Sequence, residues 1–196
     1  MYFGGAGEGW RDGNNGTMRQ VGIAISTDNC QTWTIPSAPQ ITFPTAGINT
    51  WAPTQQGMGR RVYAQSVVYH DGWFYLRVSA GYDGNRMYGV IRSQDGVTNW
   101  QGWENFTSTL PNENVRSNPV FYQGFYYVII GSGGWRLARS VNPWGPWTFR
   151  SAALSISGHE TPALFRLGNG WAAVSAVYYA SGDRARQNTM KLWYLN

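Results

Sequence analysis

Three stretches of this chain repeat one pattern of hydrophobic and polar positions. An apolar run meets a tight polar turn and restarts as an aromatic run: Ser66 to Leu76 around Asp71-Gly72, Asn118 to Val128 around Gln123-Gly124, and Thr161 to Val174 around Asn169-Gly170. Period-two alternation flanking Asp-Gly or Asn-Gly predicts β-hairpins, because these dipeptides accept the positive φ of a two-residue turn. A third run follows the first two hairpins, Tyr88 to Ser93 and Trp135 to Ser140, and Val21 to Ser26 supplies another copy. Each copy ends in Ser, and a Trp seven residues later (Trp33, Trp100, Trp147) opens a short fourth strand. Met190 to Leu195 reads as the third strand of a last unit.

Units of four antiparallel strands, A to D, recurring roughly every 45 to 50 residues describe β-propeller blades. The expected fold class is therefore all-β, a single β-propeller domain over residues 1–196. Its blade segments are residues 1–36, 60–106, 115–150 and 158–196, with a long Pro, Gly and Gln-rich loop over 37–59. The strands run B-C-D, A-B-C-D, A-B-C-D and A-B-C, and no helix is needed. A closed five-bladed ring at this spacing needs roughly 230 residues. The ring therefore has four blades, closes by pairing its ends, or is a piece of a longer ring. The favoured expectation is a piece, or a domain completed by a partner chain or a second copy.

Composition agrees with stacked sheets. Aromatic residues make up 16% of the 196 positions. Charged residues make up 13%, against about 25% in an average domain. Few charges and many aromatics exclude disorder, and no apolar run is long enough for a membrane span. The net charge is +5, and every cation except Lys191 is Arg. Arg is a planar fork suited to carboxylate or sulfate. Apart from Arg60-Arg61 the Arg residues are scattered singly, which argues against a nucleic-acid partner. They fit either an anionic ligand, such as a uronate or sulfated glycan, or an ordinary surface cation. The single Cys30 makes no internal disulfide, and no secretory leader pattern is visible. No metal-ligand spacing, phosphate loop or nucleophile elbow occurs, so neither metal nor cofactor is expected.

Short motifs carry a resemblance. Ser26-Thr27-Asp28-Asn29-Cys30-Gln31-Thr32-Trp33 resembles the Asp-box turn of sialidase-type propellers, with Cys30 in place of Gly, and Ser93-Gln94-Asp95-Gly96 with Trp100 is a looser copy. Ser140-Val141-Asn142-Pro143-Trp144-Gly145-Pro146-Trp147 resembles a turn of the five-bladed glycoside hydrolases of families 43, 32 and 68. His159-Glu160-Thr161-Pro162 is similar to their Glu-x-Pro segment, whose Glu is the general acid, and Trp51-Ala52-Pro53 is similar to a Trp-Ala-Pro-Asp segment with Thr54 at the Asp position. The resemblance implies a glycan-active propeller, extracellular or virion-associated, with an oligosaccharide or polysaccharide as ligand.

Propeller topology sorts the acids. Ligands sit at the end where the A strands begin, which also carries the B–C loops; the A–B turns lie at the far end. Asp28, Asp71 and Asp95 fall at the far end and read as turn residues. Glu160 stands at the start of an A strand, and Asp12, Asp83 and Asp183 lie in B–C loops. Glycoside hydrolysis needs two carboxyl groups flanking the bond. Glu160 is the candidate acid, with Asp12 or Asp83 as the second carboxylate. Where the resemblance implies carboxylates at earlier A-strand starts, the alignment reads Ser66 and Asn118, so a non-catalytic glycan-binding or structural propeller is the alternative. Trp10, Arg11, Trp51, Arg86, Arg116, Asn118, His159, Asp183 and Arg184 are the candidate ligand-binding residues. Aromatic rings can stack on sugar faces while Arg and Asn hold hydroxyls or acid groups.

Overall fold

A computed structural model describes residues 1–5, 20–38, 40–42, 61–82, 85–105, 114–115, 117–131, 135–151, 159–177 and 189–195. All of its regular elements are strands. They form antiparallel sheets of the expected blade kind, and the chain divides into two compact units, Met1–Thr109 and Leu110–Asn196.

In the first unit β1 (Tyr2–Gly5) pairs with β2 (Gln20–Ile23), and isolated bridges join Ile25 to Thr34 and Val21 to Ile41. These are the B and C strands of one blade with a short D edge. The next sheet is a complete A-B-C-D blade in chain order, β3 (Arg61–His70), β4 (Trp73–Tyr82), β5 (Asn85–Ser93) and β6 (Gln101–Asn105). The two sheets share one core: Val21, Ile23 and Ile41 pack with Val62, Leu76, Val78, Ile91 and Trp100. Ile41, expected inside a loop, is fully buried in that core. Its backbone pairs with Val21 in both directions. An apolar side chain beside an unpaired strand edge gains both burial and a ladder, which outweighs the surrounding Pro and Gly.

The second unit holds β7 (Asn114–Val115), β8 (Val120–Tyr122), β9 (Phe125–Gly131), β10 (Trp135–Ser140) and β11 (Thr148–Phe149) in one sheet. A three-stranded sheet follows, β12 (His159–Leu167), β13 (Gly170–Val177) and β14 (Thr189–Leu195). Ile129, Leu164 and Ala173 form its core, flanked by Val120, Tyr127, Trp135, Leu137 and Trp171. The A strand of the first of these sheets is broken between β7 and β8. Pro119 lacks an N–H, and the buried Ser117 Oγ accepts the Ile129 N–H at 2.7 Å in place of a backbone carbonyl.

The hairpin turns follow the dipeptide rule with one shift. Asp71 and Gly72, like Gln123 and Gly124, take positive φ at both central positions, the turn type that matches strand twist. In the last hairpin Leu167 pairs with Gly170, so the turn is Gly168-Asn169 rather than Asn169-Gly170. Gly168 supplies the positive φ there, at 57°, and Gly170 becomes the first residue of β13.

Candidate functional site

The A strands are longer than the sequence pattern suggested, and each is irregular near its start. In β3 the register shifts between Ala64 and Ser66; in β12 it shifts between Glu160 and Ala163, where Pro162 sits at the irregularity. Bulges admit Pro within a sheet and re-aim neighbouring side chains. They also decide which residues correspond. Glu160 pairs with Ala176, the sixth residue after Gly170, which opens its B strand. The same offset from Trp73 leads to Ser79, paired with Tyr63, and from Phe125 to Gly131, paired with Asn114. The counterparts of Glu160 are therefore Tyr63 and Asn114. Ser66, paired with Arg77, corresponds instead to Ala163. The sequence pattern placed the strand starts three residues late at Ser66 and four late at Asn118, because each irregularity hides the residues that precede it.

Glu160 and His159 occupy the end of β12 remote from the Gly168-Asn169 turn. Arg86 pairs with Gly81 at the corresponding end of β4 and β5, where Tyr82 and Asn85 flank the connecting loop. Asn118 is exposed in the break between β7 and β8. Trp10, Arg11, Asp12, Trp51, Asp83, Arg116, Asp183 and Arg184 lie outside the described residues. Among the described residues no group of three or more His, Cys, Asp or Glu side chains could hold a metal ion. No helix among them is long and apolar enough to cross a membrane.

The opposite end is built from turns. Ser26 Oγ donates to Asp28 Oδ1 at 2.7 Å, and that oxygen also accepts the Gln31 and Thr32 N–H groups at 3.1 and 2.9 Å. The Thr32 hydroxyl and N–H, the Ser26 hydroxyl and the Gln31 N–H hold the Asp28 carboxyl down at about 2. Cys30 takes φ 67°, the left-handed conformation a Gly would accept freely, and its N–H donates to Ser26 Oγ. Asp95 repeats the arrangement, accepting the Val97 and Thr98 N–H groups at 2.8 Å each; hydrogen bonds led by the Thr98 hydroxyl hold its carboxyl well below the usual range. These carboxylates are committed to their own turns, as expected for far-end acids.

Trp33, Trp100 and Trp147 differ more than their spacing suggests. Trp100 and Trp147 are buried, and Trp100 meets Tyr2 edge-on at 5.8 Å. Trp33 is 41% exposed and lines a cleft of about 320 Å³ with Tyr2, Ile25, Cys30 and Phe74. The Tyr2 hydroxyl donates to the Gly96 carbonyl at 2.7 Å. Burial, and then the Asp95 carboxylate, push its pKa from 10.0 up to about 12. A raised folded value means that the Tyr2 contribution to stability is complete below pH 10 and is lost as pH climbs through 12. Denaturation midpoints are expected to fall across that window, and to fall less in Tyr2→Phe. An equal fall in both proteins would remove Tyr2 as the cause.

The arginines carry a repeat that the sequence analysis missed. The Arg92 guanidinium lies 4.2 Å from the Trp73 ring centre, and Arg139 lies 4.1 Å from Phe125. Each Arg immediately precedes the Ser that closes its third strand, and each ring opens the B strand after the turn. The legible signal was the Arg-Ser pair closing each of these two strands. The contact recurs at the same blade position, and a cation–π contact of this kind is worth about 0.5–1 kcal/mol at exposed sites.

No family model and no curated protein matches the chain. Solved structures with the same fold are propeller-type glycoside hydrolases. A Bacillus subtilis arabinanase is 18% identical, with TM-score 0.62 over 98% of this chain and 66% of its own. A Lactobacillus gasseri sucrose-6-phosphate hydrolase is 15% identical, with TM-score 0.57 over 92% of this chain and 39% of its own. A mutant Trypanosoma rangeli sialidase displaying trans-sialidase activity is 14% identical, with TM-score 0.52 over 82% and 30%. The chain thus spans 66% or less of the length of these proteins.

Proposed function

We propose that this chain is a carbohydrate-active propeller that binds an oligosaccharide or polysaccharide outside the cell or on a virion, at the end of the blades carrying Glu160. The reading rests chiefly on one observation: Glu160 precedes a Pro-containing bulge on an A strand in a fold shared with glycoside hydrolases. Glu160 is the general acid, and Asp12 or Asp83 is the second carboxylate that the chemistry requires. Trp10 and Trp51 stack on sugar faces. Arg11, Arg86, Arg116, Asn118, His159, Asp183 and Arg184 hold hydroxyl or acid groups. The segment Ser26 to Trp33 is an Asp-box turn that closes a blade and takes no part in the chemistry.

A second reading is favoured by the register. Tyr63 and Asn114 stand where Glu160 has its counterparts, and neither can act as a carboxylate base. In that reading the chain binds glycan without cleaving it, or requires a second copy or a partner chain to complete the site. Incubation with arabinan, levan and mannan, scored by reducing-sugar release and by affinity electrophoresis, separates the two. Release of reducing ends supports the hydrolase; retardation without release supports the binding module. Neither effect on any polysaccharide would defeat both.

A further inference from the structure

We propose that the turn end of the second unit carries another ligand site, an aromatic and arginine platform for an anionic saccharide bearing carboxylate or sulfate groups. The inference rests on the glycan reading above but uses different residues. Its starting point is an exception to the repeat. Tyr69 and Phe121 hold equivalent A-strand positions, one residue before the turn-closing residue; both are 61% exposed and lean on Phe74 and Tyr126 at 4.9 Å. The corresponding residue of β12 is Arg166.

Arg166 lies 4.1 Å from the Tyr122 ring centre and 5.0 Å from that of Trp171, and its Nη2 donates to the Gly168 carbonyl at 3.1 Å. Tyr122 is paired directly with Phe125, the ring under Arg139. Residues directly opposite on antiparallel strands share a face of the sheet. The two stacked guanidinium groups therefore cover neighbouring rings on one face. Trp171 also meets Tyr127 at 4.6 Å and Tyr122 edge-on at 5.9 Å, so the platform is a connected half-buried cluster. It is bordered by the exposed turns Gln123-Gly124 and Gly168-Asn169.

Charge selects the ligand. Glu160 is the only acid among the described residues of this unit, and it sits six residues along β12 from Arg166, roughly 20 Å at strand rise. Among the described residues of this unit, no carboxylate therefore stands beside the two guanidinium groups. An Arg whose guanidinium already rests over a ring has less rotamer freedom to lose on binding and keeps donors for bidentate contacts. Half-buried rings beside such donors suit a sugar ring carrying an acid group better than a bare phosphate chain.

The test uses the whole chain, immobilised, with polygalacturonate, dextran sulfate, neutral dextran and a single-stranded oligonucleotide as probes. Wild type is expected to hold polygalacturonate or dextran sulfate, the better of the two identifying carboxylate or sulfate, and not neutral dextran. Arg166→Gln and Arg139→Gln should each weaken that binding about tenfold or more. Arg166→Lys keeps the charge but not the fork, and serves as the folding-neutral variant; a loss of several fold is expected. Arg150→Gln, an exposed Arg outside the cluster, should change binding less than twofold, with circular dichroism confirming every fold. Failure of the hydrolase reading is scored separately, by reducing-sugar release, and leaves the comparison of the Arg166 and Arg139 variants with Arg150→Gln intact. Equal losses in Arg150→Gln and Arg166→Gln, tighter binding of the oligonucleotide, or no binding of either charged polysaccharide would each overturn the proposal.

Discussion

With Glu160 in the proposed general-acid role, Glu160→Gln is expected to lower glycan hydrolysis by about 10²–10⁴-fold, the usual contribution of a positioned general acid. Glutamine keeps the shape and hydrogen-bonding reach of the side chain, so binding should hold within a few fold. It cannot deliver a proton to the leaving oxygen. The loss should therefore depend on the leaving group: large on arabinan, whose departing sugar needs protonation, and much smaller on a p-nitrophenyl arabinoside, whose departing phenolate does not. An equal fall on both substrates would remove Glu160 from the acid role and leave it a binding residue. The β12 register makes the experiment specific. Tyr63 and Asn114 hold the equivalent positions, so neither counterpart is a carboxyl group that could take over the proton.

Gly96→Ala is expected to destabilise the first unit by about 2–4 kcal/mol, combining a left-handed backbone penalty with overpacking. Gly96 has φ +70°, and a Cβ there would stand 2.9 Å from Phe74 Cδ2 and 3.0 Å from the Tyr2 hydroxyl oxygen. The Phe74 ring packs against the core and Tyr2 is tied to the Gly96 carbonyl, so neither can move away cheaply. Gly72 and Gly124 provide the control. Their φ values are +79° and +80°, and a Cβ at either would meet nothing within 4 Å. Alanine at those positions should cost only the backbone term, about 1–2 kcal/mol. Urea denaturation of the three variants measures the difference, and a Gly96→Ala protein no less stable than Gly72→Ala would show that the contact with Phe74 is not tight.

The blade grammar was legible because hairpin dipeptides, period-two alternation and the Ser-to-Trp spacing are local signals, each set by a few neighbouring residues. The end to which Asp28, Asp71 and Asp95 belong was legible for the same reason. Other features depend on residues distant in sequence. Bulges at Gln65 and at Thr161-Pro162 decide that Glu160 answers to Tyr63 and Asn114 rather than to Ser66 and Asn118, and a bulge is a property of two paired strands. Ile41 looked like loop because its neighbours are polar and Pro-rich; pairing with Val21 makes it core. The arginines read from composition as candidates for an anionic ligand. Arg92 and Arg139 turn out to lie over aromatic rings at equivalent points of two blades, while Arg166 stands where other A strands have Tyr69 and Phe121 and lies over Tyr122.

The sequence by itself determined an all-β chain of repeated four-stranded units, because hydrogen-bonded hairpins follow from nearest-neighbour conformational preferences and a period-two apolar pattern. Only the tertiary structure decided which residues share a position from blade to blade and which guanidinium lies over which ring. Strand register and stacking are set by the minimum of packing energy between segments far apart in the chain, and no local pattern encodes that minimum.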